Sequence, residues 1–435
     1  MLSNFYKFYL ILTKSNILKS LAYINEYESY PYKKKRKIQK SRLESLLIFS
    51  TKNIDYYKKF GNRKYDAFPI LTKKLLRKNL IFLRNRVSGL STIENTSGGT
   101  TGEPIRILQD KNYKTWSRAY KEFYYQKAEY TFGKKLIKLW GSERDIIIGN
   151  FGLKNKLLNY LRHQKFLNTF MMSENDIYQY IKTINRFQPD VIEAYVQSLY
   201  EICRFAINNN LSIYQPKSII VSAGTYYDFM ESIFKQVFPE VPIYNRYGSR
   251  EVGDIGCSCG GRKFIHISML THYVEVVDNN NKSIIGKPGR IIVTSLTNYA
   301  QPLIRYEIGD IGVMFPYKKC PSCGWEGDIL EIVKGRTVEV FKNIYGELID
   351  GEYFTHLFYF REWLEKFQVN YFKKKNILEL KIKLNPQFKK IPKNDKKEIE
   401  ENILKVMKRC KIVWKIVKNI FSNKSGKFCY TRMYE

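Results

Sequence analysis

Ser173-Glu-Asn-Asp-Ile-Tyr-Gln-Tyr-Ile-Lys-Thr-Ile-Asn-Arg-Phe-Gln-Pro-Asp190-Val-Ile-Glu-Ala-Tyr-Val196 is the stretch whose reading decides the fold of this 435-residue chain. Ser173 followed by Asp176 marks a helix start, and Ile177, Ile181 and Ile184 recur at helical spacing. Asp190 to Val196 is a short apolar run that suits a buried strand. Working outward, a second helix runs through Leu199, Ile202 and Phe205, and Ser218 to Ser222 reads as a strand. A third helix carries Phe229, Ile233 and Val237, and Val241 to Tyr244 closes the series. Strands alternating with helices over short connections predict a parallel sheet covered on both faces. Ligands of such sheets bind beyond the carboxyl ends of the strands, which points to the loops Ser222–Thr225 and Arg246–Glu251.

From Tyr273 the pattern changes to strands separated by Asn, Gly and Pro, with Tyr273–Val277, Arg290–Thr294 and Ile311–Phe315 as candidates for an antiparallel barrel or sheet. After Gly335 a smaller unit begins. Leu378, Leu380, Ile382 and Leu384 alternate with Glu379, Lys381 and Lys383, the period-two pattern of a half-exposed strand. Lys396–Lys411 then reads as a helix and Ile412–Val417 as another strand. The expected fold is α/β: a large N-terminal domain of parallel sheets flanked by helices plus an antiparallel β-barrel part, then a small, mobile α+β C-terminal domain. The boundaries are a helical N-terminal region at 1–90, a core at 91–334 and a C-terminal domain at 335–435.

The composition is that of a folded protein, with 44% hydrophobic and 15% aromatic residues, since disordered chains lack the apolar side chains that offset the entropy of ordering. The net charge of +33 invites a polyanion partner. The lysines are scattered among Asn, Ile and Tyr, however, so charge alone implies no nucleic acid. The densest patch, Lys33, Lys34, Lys35, Arg36 and Lys37, reads as a solvated face or loop. No apolar stretch approaches the roughly 20 residues needed to cross a bilayer, and no signal peptide is recognisable. The cytoplasm is the expected location. The amphipathic segment Phe5–Tyr30 is compatible with peripheral membrane contact, although a packed first helix is the preferred reading.

Asn95-Thr-Ser-Gly-Gly-Thr-Thr-Gly-Glu-Pro104 is a loop whose glycines expose backbone amides to a phosphate chain and whose hydroxyls, Ser97, Thr100 and Thr101, suit phosphate oxygens or Mg²⁺. It is no Walker loop, because no Gly-Lys-Ser/Thr closes it. Seven cysteines make a disulfide framework improbable in a chain without a signal peptide. Four of them, in Cys257-Ser-Cys259 and Cys320-Pro-Ser-Cys323, have the knuckle-like spacing of a closed structural Zn²⁺ site, with His266 able to replace one sulfur.

The Gly-rich loop, Tyr247-Gly-Ser-Arg-Glu251, Arg305-Tyr-Glu-Ile-Gly-Asp310, Gly335-Arg336 and Ser425-Gly-Lys427 stand in the order of the signatures of adenylate-forming (AMP-binding) enzymes, and the chain resembles that superfamily from Asn95 to Lys427. Trp140-Gly-Ser-Glu143, the compact length and the cysteine pairs are most similar to the phenylacetate-CoA ligase and capsule-biosynthesis adenylating branch. The resemblance implies ATP and Mg²⁺ as cofactors. Ser97, Gly98, Gly99, Thr100, Thr101 and Gly102 would cradle phosphates and Glu251 would anchor Mg²⁺. Tyr247 and Gly248 would lie against adenine with Ala223 and Gly224, Asp310 would take the ribose hydroxyls, and Arg336 would adjoin the hinge of the swinging C-terminal domain. Lys427 would be the catalytic lysine, and Gln197 is a guess for the acyl-pocket wall. At the hinge the acidic residue expected two after Arg336 is Val338, which puts the hinge mechanics in doubt.

The implied activity is ATP-dependent activation of a small carboxylic acid to an acyl-adenylate with loss of pyrophosphate, then acyl transfer to a thiol such as coenzyme A. Two alternatives stand beside it: transfer to an amine or hydroxyl of a sugar acceptor in polysaccharide biosynthesis, and a degenerate, non-catalytic protein that binds polyanions or membrane surfaces.

Overall fold

A computed structural model of the chain describes residues 16–61, 63–86, 91–96, 106–131, 133–140, 159, 162–169, 174–224, 226–260, 264–336, 340–345, 348–350, 353–354, 357–358, 361–420 and 431–434. By internal contacts they fall into two units. One runs to 308 and takes in 312–332; the other takes 309–311 and everything from 333 on.

In the first unit, helix α1 (Ile17–Glu28) buries Ile17, Leu21, Ile24 and Tyr27, an i, i+4, i+7 stripe that needs a packed partner. Helix α2 (Tyr32–Asn53) contains the densest basic run; Lys33, Lys34 and Lys37 are exposed as a solvated face requires, whereas Lys35 and Arg36 depart from that expectation. Lys35 is buried and pairs with Glu28 at 3.2 Å, and Arg36 meets Asp328 at 2.9 Å. Short helices α3 (Asp55–Lys58) and α4 (Lys73–Lys78) follow. Strands β1 (Thr92–Thr96) and β2 (Arg106–Asp110) pair antiparallel, with Thr96 opposite Arg106, so they bracket the Gly-rich segment. Asp110 caps helix α5 (Lys111–Lys127), one carboxylate oxygen accepting from Tyr113 N–H at 2.7 Å and the other from Tyr299 N–H at 2.7 Å. The cap satisfies an orphan helix donor and fixes where α5 starts.

The alternating middle third forms β3 (Leu136–Trp140), β4 (Gln164–Asn168), α6 (Glu174–Phe187), β5 (Val191–Tyr195), α7 (Val196–Asn208), β6 (Ser218–Ser222), α8 (Asp228–Val237) and β7 (Ile243–Ser249). The strands are parallel, in the order β4-β3-β5-β6-β7. Period-two alternation splits them between two faces. Ile137, Ile192, Ala194 and Val221 pack with Ile181, Leu199 and Phe234 of the three helices. Leu136, Val191 and Ile220 pack on the other face with Tyr125, the residue of α5 nearest its end in that cluster. Glu193 and Lys138 fall on that second face by the same alternation.

Strands β8 (Gly253–Cys257), β9 (Phe264–Ile267), β10 (His272–Val277), β11 (Gly289–Ser295), β12 (Tyr306–Lys319) and β13 (Glu326–Arg336) continue from β7 in the order β7-β8-β9-β13-β12-β11-β10. The antiparallel part expected as a barrel is therefore carried on the same 11-stranded sheet. The hand-over occurs at β7, whose one edge pairs parallel with β6 and whose other edge pairs antiparallel with β8. Among the described residues no helix is long and apolar enough to cross a membrane.

The second unit contains a small pair, β14 (Val340–Lys342) with β15 (Leu348–Asp350), and the strands β16 (Leu364–Phe372) and β17 (Ile377–Leu384). Helix α9 (Lys393–Met407) and strands β18 (Lys411–Ile416) and β19 (Thr431–Tyr434) complete it, in the sheet order β18-β17-β16-β19. Leu378, Leu380 and Ile382 are buried as their alternation predicts. Glu379 is buried too, because Asn370 Nδ2 at 3.1 Å and Lys415 Nζ at 2.5 Å supply the partners a buried carboxylate requires.

Candidate functional site

The turn between β7 and β8 is built for close approach. Gly248 sits at a register shift in the ladder, and a Cβ there would lie 2.4 Å from Gly253 O and 2.8 Å from Asp254 Cα. Gly253 has φ +83, and a Cβ on it would lie 2.8 Å from Tyr113 Oη. Only glycine fits either position. The folded-back turn buries Glu251, whose Oε1 lies 3.8 Å from Lys73 Nζ and accepts from Tyr306 Oη at 3.4 Å.

The same turn is fastened to the flank of the Gly-rich segment. Arg250 O accepts from Asn95 Nδ2 at 3.3 Å and from Gln109 Nε2 at 2.9 Å, one residue on each strand of the β1–β2 hairpin. Both strands of the hairpin thus donate to one backbone acceptor of a motif far away in sequence. Next to them, at the carboxyl end of β6, Ala223 takes the left-handed conformation (φ 55) and is exposed with Gly224. Two residues earlier on each strand, Val221 pairs with Asn245, so Ala223 and Tyr247 come level. Ser222 Oγ donates to Arg246 O at 2.9 Å and holds the two strand ends together.

The other expected site residues are not brought into this picture. Ser97, Gly98, Gly99, Thr100, Thr101, Gly102 and Lys427 lie outside the described residues. Gln197 is the second residue of α7 and Arg336 the last of β13, with neither side chain described. Asp310 is half-buried on β12 and groups with the second unit.

A buried charge cluster, absent from the sequence reading, lies behind the turn. Glu193 of β5 accepts from Tyr125 Oη at 2.6 Å and faces Arg246 Nη1 at 2.9 Å, Lys121 Nζ at 3.2 Å and Lys138 Nζ at 3.6 Å. Burial by itself would raise its pKa, but Lys121, Arg246 and Lys138 together overcome that and hold the carboxyl well below the ordinary range. Burial pushes Lys138 down to about 8, against the pull of Glu193. Above the cluster opens a cavity of about 530 Å³ whose wall includes Asn95, Ser249 and Arg250 of the turn. A detectable signal existed in the sequence: Lys114, Arg118, Lys121 and Tyr125 recur at helical spacing, and Glu193 and Lys138 each interrupt an apolar strand.

The cysteine-rich turns meet on the antiparallel side. Cys259 Sγ lies 3.5 Å from Cys320 Sγ, and Cys323 Sγ lies 3.8 Å from His266 Nε2. All four donor atoms lie within 4.8 Å of one another. Cys320 N–H donates to Trp325 O at 2.8 Å and Gly324 N–H to Cys320 O at 2.9 Å, which closes the knuckle. His266 stacks on Trp325 at 4.4 Å, and Trp325 Nε1 donates to Glu28 Oε2 at 3.0 Å. Burial, with Lys35 and Lys127, pushes His266 down to about 4, so the ring is neutral at pH 7.

This corrects the expected ligand set, because Cys257 is not in the group. It sits within β8, paired with Arg246 and His266 in the ladder, and its thiol is buried near Arg246 and Asp254. The strand ends at Cys257, and the left-handed Gly260 turns the following chain, so Cys259 alone reaches Cys320. His266 supplies the fourth donor.

No protein-family profile matches the chain. Over 290 residues it is 26% identical to Protein CapK of Staphylococcus aureus, a match covering 63% of this chain and 62% of that protein. The chain therefore spans less than two thirds of the length of this curated relative. A 2-hydroxyisobutyryl-CoA ligase in the postadenylation state with an acyl-AMP superposes with a TM-score of 0.63 at 13% identity, covering 94% of this chain and 91% of that one. The same ligase with 2-HIB-AMP and CoA in its thioesterification state gives 0.60 at 14% identity, with 94% and 91% coverage. The chain has the fold of the adenylate-forming CoA ligases, as its ordered motifs imply.

Proposed function

We propose that this chain is an AMP-forming ligase that activates a carboxylic acid with ATP and passes the acyl group to a thiol such as coenzyme A. The observation that carries the reading is the shared acceptor at Arg250: it fastens the strands bracketing a phosphate-type loop to the turn that buries Glu251. The superposed ligase, which holds an acyl-AMP in one state and CoA in another, supports the same two-step reading.

In the first step a carboxylate oxygen of the acid attacks the α-phosphorus, the bond to the bridging oxygen breaks, and pyrophosphate leaves. In the second, a thiolate attacks the acyl carbonyl and AMP departs with the bonding electrons. Backbone amides of the segment 97–102 bind the departing phosphates. Tyr247 with Gly248, Ala223 and Gly224 forms the adenine slot, and Asp310 accepts both ribose hydroxyls. Arg336 marks the hinge. The Lys427 ammonium bridges the acid and the α-phosphate as charge redistributes. Gln197 belongs to the acyl wall.

The buried oxygen donors of Glu251 suit a hard cation, and Glu251 would hold Mg²⁺, which supplies charge screening along the triphosphate. Cys259, His266, Cys320 and Cys323 suit Zn²⁺. Bonds of about 2.3 Å to sulfur and about 2.0 Å to nitrogen place tetrahedral sulfurs about 3.8 Å apart and sulfur and nitrogen about 3.5 Å apart, and the separations here, 3.5 Å between sulfurs and 3.8 Å from sulfur to nitrogen, need small shifts to close on an ion. A closed site of this kind is structural.

Carboxylate-dependent exchange of labelled pyrophosphate into ATP tests the ligase. Exchange is expected with the correct acid and is to fall about 100-fold in Lys427→Ala, by loss of a transition-state charge contact. No exchange with any acid, together with no ATP binding, overturns the reading. Metal analysis should find one zinc per chain, lost in Cys320→Ser and retained in Cys257→Ser; the reverse pattern would restore the set that includes Cys257.

A further inference from the structure

Glu251 is buried, and two side chains close on its Oε1: Lys73 Nζ at 3.8 Å and Tyr306 Oη at 3.4 Å. They come from segments that are remote in sequence but sewn together. Leu71 bridges Tyr306 in parallel, Leu71 N–H donating to Arg305 O at 2.8 Å and Glu307 N–H to Leu71 O at 3.1 Å. Thr72 Oγ1 accepts from Leu75 N–H at 3.2 Å, which sets the start of α4 and so the point from which Lys73 departs. Arg305 holds a left-handed conformation, φ 51, that a residue with a side chain keeps only where its surroundings impose it. Its guanidinium supplies that constraint by donating to Glu275, to Asp66 O and to Phe68 O. Ammonium and phenol are thus presented to Glu251 by one braced piece of the first unit.

A buried carboxylate needs a counter-charge, and Lys73 supplies one. A divalent cation entering alone would meet that ammonium across a single carboxylate, where charges a few ångströms apart interact far more strongly than in water. A cation entering on a triphosphate brings its own anions, and a lysine ammonium is a good partner for phosphate oxygens. We infer that Lys73 is the resident counter-ion of Glu251 and makes this carboxylate selective for a metal–nucleotide complex over the bare metal. It opposes a free divalent cation and pairs with a phosphate oxygen when the complex arrives. The inference rests on the reading of Glu251 as the metal anchor.

The test titrates Mn²⁺, followed by its electron spin resonance, into the full chain with and without ATP. Lys73→Met should bind bare Mn²⁺ about tenfold more tightly than wild type. The gain should vanish when Glu251→Gln is added, which places it on that carboxylate. In pyrophosphate exchange Lys73→Met should raise the KM for the metal–ATP complex about 30-fold, the scale of one lost charge-assisted hydrogen bond. Lys73→Arg keeps the charge and should keep the exclusion of bare Mn²⁺. Lys74→Met, at the exposed next position of α4, should match wild type in both assays. Urea unfolding checks that each variant is folded, and Lys73→Gln stands in as the neutral variant if Lys73→Met is not. Bare Mn²⁺ binding that is unchanged or weaker in the folded neutral variant overturns the inference, since Lys73 would then merely hold Glu251 in place. So does an unchanged KM. Both results leave the ligase reading intact as long as wild type catalyses exchange. Wild type that binds no ATP and exchanges with no acid counts against the ligase reading, and the inference falls with it.

Discussion

Two of the carboxylates that the sheet buries, Glu275 in the antiparallel half and Glu193 in the parallel half, are satisfied in opposite ways. In the antiparallel half Glu275 meets a single cation among the described residues, Arg305, through Nε at 2.9 Å and Nη2 at 2.6 Å, and Arg305 Nη1 donates to Asp66 O and Phe68 O at 3.1 and 2.9 Å. In the parallel half Glu193 is shared by Arg246, Lys121, Lys138 and Tyr125. Burial raises the pKa of Glu275 in spite of Arg305, whereas the three cations pull Glu193 well below its ordinary value in spite of burial. A one-to-one pair whose guanidinium also holds two backbone carbonyls is a structural joint. A carboxylate shared by three cations ties β5 to α5, β3 and β7 beside a cavity.

The largest effect that sharpens this contrast is expected from Glu193→Gln, which leaves three cations without their carboxylate and should cost about 4 kcal/mol of stability by urea unfolding at pH 7. The pH dependence follows from the depressed pKa. The folded carboxyl binds fewer protons than the unfolded one, so its stabilisation is present above the unfolded pKa and is lost as pH falls through the folded one. The variant should show a flatter acid limb, and an unchanged limb would contradict the cluster.

Glu275→Gln should cost much less, about 1 kcal/mol or under, because the amide resembles the neutral carboxyl that burial favours there and Arg305 keeps its backbone partners. Its pH signature has the opposite sign. A raised folded pKa means that the native state holds the extra proton, so this contribution is present at low pH and disappears as pH rises through the folded pKa. The two variants should therefore tilt the acid limb in opposite directions, and parallel tilts would erase the distinction drawn here.

The smallest effect belongs to Lys138→Met, which removes the most distant of the three cations and should change stability at pH 7 by less than about 1 kcal/mol. With a folded pKa near 8, the native state releases its proton before the unfolded chain does. Wild type should gain stability as pH rises from about 8 towards the ordinary lysine range, and the variant should not. A loss of several kcal/mol at pH 7 would mean that Lys138 is a main partner of Glu193.

Much of the architecture was legible in order and type. Ile177, Ile181 and Ile184 mark α6, Ser218–Ser222 is β6 to the residue, and Leu378, Leu380 and Ile382 mark β17, since burial of one face imposes a period the sequence must carry. That the antiparallel strands continue the parallel sheet was not legible, because which edge β8 joins depends on β7, whose two edges look alike in one dimension. Within the basic run at 33–37, Lys35 and Arg36 were misread for a related reason, while Lys33, Lys34 and Lys37 are exposed as expected. A lysine reads as solvated unless its partner is seen, and the partners of Lys35 and Arg36 are a glutamate on the preceding helix and Asp328, almost three hundred residues on.

The site divides along the same line. Residues alone determined the ordered motifs and the spacing of Cys320 and Cys323, because turn sterics and ligand chemistry act over a few neighbouring positions; that no side chain fits at Gly248 or Gly253 came from the folded turn. Only the tertiary structure decided that His266 rather than Cys257 joins Cys259, Cys320 and Cys323, and that Glu193 gathers cations from α5, β3 and β7 beneath one cavity. Those outcomes depend on which strands lie side by side and which way each side chain faces, and distances between remote residues are fixed only when the chain has packed.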